Sequence, residues 1–255
     1  MDVRVKGAGR AAPFLSARDL FETEYDLDVP VHVRVRDDPD ERTRTEHCDD
    51  RHVLTISTQA ATSAMARELA LHEYAHMHRH EGGHPSHTQS TEEALFLALA
   101  GRSIERYRLT HCYQIANHMR DIYADDITLR VGPPDKLVAF LESGLATAVA
   151  DRPHPSRAGW VRETAGTASD PDLTAVNAAF ALALVERHDL VGSAHRIYDL
   201  AHAAGNDAPR VELSEFKGLF TSLAPEPTES DFRRRLVEAT RTYASATGVD
   251  GPAAD

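Results

Sequence analysis

Two histidines and a glutamate stand at a spacing that suits metal chemistry. The stretch Leu69 to His80 reads LALHEYAHMHRH and contains His72-Glu73-Tyr74-Ala75-His76, the HExxH pattern. In a helix, residues four apart lie on one face, so His72 and His76 can offer two imidazoles to one metal ion. Glu73 projects beside them and can accept a proton from metal-activated water. The expected cofactor is Zn2+, which takes three protein ligands and a water at catalytic sites. The chain has 15 histidines, so the plain alternative is a surface helix carrying incidental ones.

The elements around the motif must hold it in place. Ala60 to Leu71 consists of good helix formers without Gly or Pro. Met65, Leu69, His72 and His76 fall on one stripe, and Gly82-Gly83 supply a stop. Upstream, Val29, Val31, Val33 and Val35 alternate with Pro30, His32, Arg34 and Arg36, the pattern of a strand with one wet face. His52 to Ser57 reads as a second strand, Met1 to Gly9 as a short one, and Asp37 to Arg51 as a charged loop. Ser16 to Thr23 reads as a short helix capped by Ser16.

A strand followed by an HExxH helix is the arrangement of the zincin metallopeptidases, which this stretch resembles. The metzincin branch would need a histidine where Gly82 stands, so that extension is excluded. The gluzincin branch needs an acidic ligand on a later helix. Leu109 to Thr128 is the best such helix, with His111, His118, Asp121 and Asp125 on one broad face. Asp121-Ile-Tyr-Ala-Asp125 resembles the Glu-x-x-Ala-Asp element of heat-shock and prenyl-protein peptidases of that clan, with Asp in place of the ligand Glu. The resemblance implies Asp121 as third ligand and Asp125 as the group orienting a ligand histidine. The membrane helices of those families have no counterpart here. Ser90-Thr-Glu-Glu-Ala-Leu is similar to another gluzincin ligand element and keeps Glu92 and Glu93 open as alternative third ligands, beside Asp125 and His118. His118, His111, Tyr107 and Tyr123 are also candidates to hydrogen-bond a reaction intermediate. His78, His80, His84 and His87 read as solvated or substrate-facing. The whole chain also resembles members of an uncharacterised family of haloarchaeal proteins.

Composition narrows the classes. A net charge of -12 argues against a nucleic-acid partner held by bulk attraction. No apolar run approaches the roughly 20 residues needed to cross a membrane. The N-terminus lacks the apolar core of a secretion signal. A cytoplasmic protein is expected. Only three of the 28 basic residues are Lys (Lys6, Lys136 and Lys217), and an acid-rich, Lys-poor surface suits a high-salt cytoplasm. Cys48 and Cys112 are too few for a disulfide framework and read as free thiols.

The rest of the chain reads as helices: Thr91–Tyr107, Leu109–Thr128, Asp135–Ala150, Leu173–Ala204 with a break near Gly192, Val211–Leu223 and Glu229–Ala246. The expected fold is α+β and mostly helical, a small N-terminal sheet packed on the HExxH helix and followed by a helical C-terminal half. Residues 1–151 would form the metal-binding domain, 152–172 a linker or long loop, and 173–255 a helical region of the same or a separate domain. The expected function is a zinc-dependent metallohydrolase, a peptidase acting on a peptide or protein through Glu73 as general base. If the His52–Ser57 strand edges the sheet, it could hold an extended substrate. The competing expectation is a non-catalytic helical interaction module with a structural or degenerate metal site.

Overall fold

Valine alternation builds the first sheet. In the computed structural model, which describes residues 1–102, 104–151 and 170–247, strand β1 (Val3–Lys6) is followed by helix α1 (Ala12–Phe21) and strand β2 (Val31–Arg36). Strands β3 (Arg44–Cys48) and β4 (Arg51–Ser57) then form a hairpin around Asp49-Asp50. The strand order is β1-β2-β4-β3. β1 and β4 run parallel to β2, while β3 runs antiparallel to β4 and closes the row. Val31, Val33 and Val35 are buried, and Arg34 and Arg36 stay exposed, as the alternation requires.

Helices follow: α2 (Thr58–Thr62), α3 (Ala66–Glu81), α4 (Pro85–Thr88), α5 (Thr91–Leu99), α6 (Arg106–Val131), α7 (Asp135–Ala150), α8 (Pro171–Arg187), α9 (Arg196–Asp207), α10 (Leu213–Thr221) and α11 (Glu229–Thr247). Several differ from the sequence reading. The first helix begins at Ala12 and has no side-chain cap, so Ser16 sits inside it. The Ala60–Leu71 run is broken, because Ser63 stands in extended conformation between α2 and α3. The expected Thr91–Tyr107 helix stops at Leu99, with Gly101 in the left-handed region before α6 begins. Part of the expected linker, residues 152–169 with Trp160, lies outside the described residues.

The chain forms two compact units. The first takes Met1–Thr88 and Arg120–Lys136, so α6 contributes its C-terminal half. Its core joins Phe14, Ala17 and Phe21 of α1 with Val31, Val33, Leu54 and Ile56 of the sheet. α3 adds Ala70, Leu71, Tyr74, Ala75 and Met77, and α6 adds Ala124 and Ile127. This is an N-terminal mixed sheet packed on early helices, including the one that bears His72 and His76: a zincin-like α+β fold with the remaining chain helical.

The second unit takes Gln89–Met119 and the described residues from Leu137 onward. Its centre is α8, buried at almost every position from Thr174 to Val185. α9 and α10 pack against α8, and α5 packs against α11.

Candidate metal centre

Helix α3 has two working faces. Ala70, Leu71, Tyr74, Ala75 and Met77 are buried and fix its rotation, and the Tyr74 hydroxyl donates to the Phe14 carbonyl at 3.2 Å. His72, Glu73, His76 and His80 are left on the remaining surface, only part-buried. The helix stops where Gly82-Gly83 predicted. Gly83 is left-handed at φ 64°, and the His84 amide turns back to the Arg79 carbonyl.

The C-terminal half of α6 meets this surface with Asp121 and Asp125. The His72 and His76 Nε2 atoms lie 2.9 Å apart. Asp121 Oδ1 lies 3.7 Å from His72 Nε2 and 3.3 Å from His76 Nε2. Ligands at about 2.0–2.1 Å around a tetrahedral zinc stand about 3.3 Å from one another. The three observed separations bracket that value, so the donor atoms are spaced to share such an ion. Among the described residues, this is the one group of three or more His, Cys, Asp or Glu side chains close enough to share an ion. The grouping matches the HExxH metal-binding triad of the zincins, gluzincin type, with Asp121 in the place of the third ligand.

Asp125 stands behind His72. The His72 Nδ1–H donates to Asp125 Oδ1 at 2.8 Å, so it is Nε2 that faces the triad. Burial alone would push the His72 imidazole down, but Asp125 and Asp121 outweigh it and raise it well above its ordinary value. The same two carboxylates favour a cation at this point. Behind His76 the partner is different: its Nδ1 lies 2.7 Å from His87 Nε2.

The sheet contributes through β3. The Thr45 hydroxyl donates to Glu73 Oε2 at 2.7 Å, holding one of its carboxylate oxygens. Two residues on, His47 faces the same way. Its ring stacks on His80 with centroids 3.7 Å apart, and its Nδ1 lies 2.9 Å from His52 Nδ1. His52 Nε2 lies 3.1 Å from Glu81, whose carboxylate also accepts the Asp28 and Val29 amides. A Glu81–His52–His47 chain therefore ties the end of α3 to the sheet.

The other expected residues have other surroundings. Glu92 and Glu93 are exposed in the first turn of α5, where Ser90 caps the helix and Glu93 pairs with Arg233 at 3.6 Å. His118 stacks on Phe180 and donates to Asn177 Oδ1 at 2.7 Å. His111 hydrogen-bonds the Tyr243 hydroxyl, and Tyr107 is exposed. Tyr123 is buried, with its ring 4.6 Å from that of His84. His78 bonds the Asp26 carbonyl and packs on Phe21 and Tyr25. His84 and His87 are not solvated: His84 is buried, His87 is half-buried, and both are hydrogen-bonded. Both cysteines are free thiols, and burial pushes the Cys112 thiol up to about 12.

Sequence reasoning missed Thr45, His47, His52 and Ser86 as parts of this surrounding, and read His87 as solvated or substrate-facing. The alternation of Thr45 and His47 with Arg44, Glu46 and Cys48 was the one available sign that this charged segment is a strand.

Among the described residues, no helix is long and apolar enough to cross a membrane. The model of one protein family, described as a family of unknown function (DUF5781), matches residues 1–245. No curated protein and no solved structure matches the chain.

Proposed function

The chain belongs to that family of unknown function, and from its metal centre we propose that it is a zinc-dependent metallohydrolase, in the first instance a peptidase. One observation carries the reading: His72, His76 and Asp121 converge at tetrahedral spacing, with Glu73 one residue along the same helix. Zinc, when bound, would polarise a peptide carbonyl and lower the pKa of an attacking water to about 7. His72, His76 and Asp121 would hold it. Glu73, held by Thr45 through one oxygen, would take the proton of the attacking water and pass it to the leaving amine. Asp125 would keep the His72 proton on Nδ1, so that Nε2 stays available as a ligand. The acidic, Lys-poor composition supports a place in a salt-rich cytoplasm and a peptide or protein substrate rather than a nucleic acid.

The test is elemental analysis beside a peptide-library assay. About one zinc per chain is expected, lost in His72→Ala, His76→Ala and Asp121→Ala. Glu73→Gln should keep the zinc and lose about 10²–10⁴-fold in turnover, the range for a general base. Unchanged turnover in zinc-loaded Glu73→Gln would remove Glu73 from the chemistry. A zinc-loaded protein that cleaves nothing in the library would favour the interaction module.

A further inference from the structure

We propose that His84, Ser86 and His87 form a positioning relay that keeps the proton of His76 on Nδ1 and so presents His76 Nε2 to the metal as a lone pair. This rests on reading the triad as a metal centre. The polarity of the relay follows from one backbone amide. The Ser86 N–H points at His84 Nδ1 at 3.2 Å. An amide can only donate, so His84 Nδ1 is an acceptor and carries no proton.

The Ser86 hydroxyl lies 2.7 Å from that same Nδ1 and must donate to it. Its oxygen is then the acceptor for His87 Nδ1, also at 2.7 Å, so His87 holds its proton on Nδ1. A neutral His87 has a bare Nε2, which accepts from His76 Nδ1–H at 2.7 Å. Neutral His76 is left with its lone pair on Nε2, 3.3 Å from Asp121 Oδ1 and 2.9 Å from His72 Nε2. Each bond fixes the direction of the next, from a main-chain N–H to a metal-facing nitrogen.

His87 meets the Ser86 hydroxyl through one ring nitrogen and the His76 ring through the other, and neither is an anion that would hold a second proton on it. The turn carrying the relay is anchored as well: Arg120 Nε donates to the Ser86 carbonyl at 3.1 Å. The two ligand histidines are thus prepared by different means, His72 by a carboxylate and His76 by a neutral imidazole.

The test uses the full chain. In ¹⁵N-edited NMR of the histidine side chains, His87 should carry its proton on Nδ1 and none on Nε2. His87→Leu removes the acceptor while keeping apolar bulk, and should weaken zinc binding about 10–100-fold in competition with a chromophoric chelator. It should also alter the visible d–d bands of the Co2+-loaded protein. His87→Gln puts an amide oxygen near the lost Nε2 and should restore most of the affinity and the bands. A purely structural role for His87 would not give that rescue in a protein of unchanged melting temperature. A proton on His87 Nε2, or zinc held by folded His87→Leu as tightly as by the unmodified chain, would overturn the relay and leave the metal centre standing. No zinc uptake by the unmodified chain would overturn both.

Discussion

Asp125 and His87 do for two histidines what neither histidine can do alone. A free imidazole exchanges its proton between two nitrogens, and only one tautomer presents Nε2 to a metal. Replacing Asp125 by Ala removes the acceptor behind His72, and zinc affinity should fall about 10–100-fold by chelator competition. Asp121→Ala deletes a ligand instead, so its loss should exceed that of Asp125→Ala in the same titration. The grouping of His72, His76, Asp121 and Asp125 was legible in the sequence because helical spacing translates directly into geometry. Each histidine or aspartate has a partner four residues away on its own helix. Ser86 and His87 were not legible in this way. Their role depends on a turn after Gly83 that folds back beneath His76, and no period in the sequence encodes that return.

At the scale of elements, β3 was the part least visible in advance. Arg44, Glu46, His47 and Cys48 are exposed, and Thr45, the one part-buried residue, is polar, so the strand lacks the apolar alternation that marked β2. Asp37 to Arg51 therefore read as a charged loop. The consequence extends to β4, which could have held a substrate strand only had it edged the sheet. β4 is interior, flanked by β2 and β3, and six of its seven residues are buried. The edge on that side is β3, whose Thr45 pairs in register with Leu54 and so faces α3. Thr45→Val keeps the strand's branched shape and removes the hydroxyl. A hydrogen bond to a charged group contributes about 1.5–3 kcal/mol. Turnover in Thr45→Val should fall by about tenfold or more with zinc content unchanged, measured as kcat on any substrate the library assay yields. A parallel loss of zinc would assign Thr45 to folding instead.

For the whole molecule, the sequence made the class of fold readable: valine alternation for a small sheet, a helix stop at Gly82-Gly83, and helical runs beyond. It did not reveal that α6 contributes to both compact units, because a continuous helical pattern carries no mark of which unit each turn joins. The first unit also holds a titratable knot. His47 lies against His52 of β4 and against His80 of α3, with Glu81 beyond His52. Burial, together with His80, His52 and His76, holds the His47 imidazole down at about 4 against an ordinary 6.5. The unfolded chain therefore binds this proton first as pH falls. Stability should decline through the interval from about 6.5 to about 4 and level off below it as far as His47 is concerned. Urea melts at stepped pH should show a shallower decline for His47→Gln than for the unmodified chain. Equal slopes would mean that this ring contributes nothing to acid sensitivity.

The two grips of the sheet on α3 also make a gauge of length. Thr45 holds Glu73, and His47 covers His80, seven residues and about 10.5 Å further along the helix. One residue inserted between them would swing His80 through about 100° and advance it by about 1.5 Å, while Glu73 stayed on Thr45. The ring would leave its partner, and Glu81 would turn away from His52 with it. Between Glu73 and Glu81 a substitution acts at its own position, whereas a change in the count of residues displaces everything beyond it, and this interval should resist insertion and deletion more than any surface loop of the chain.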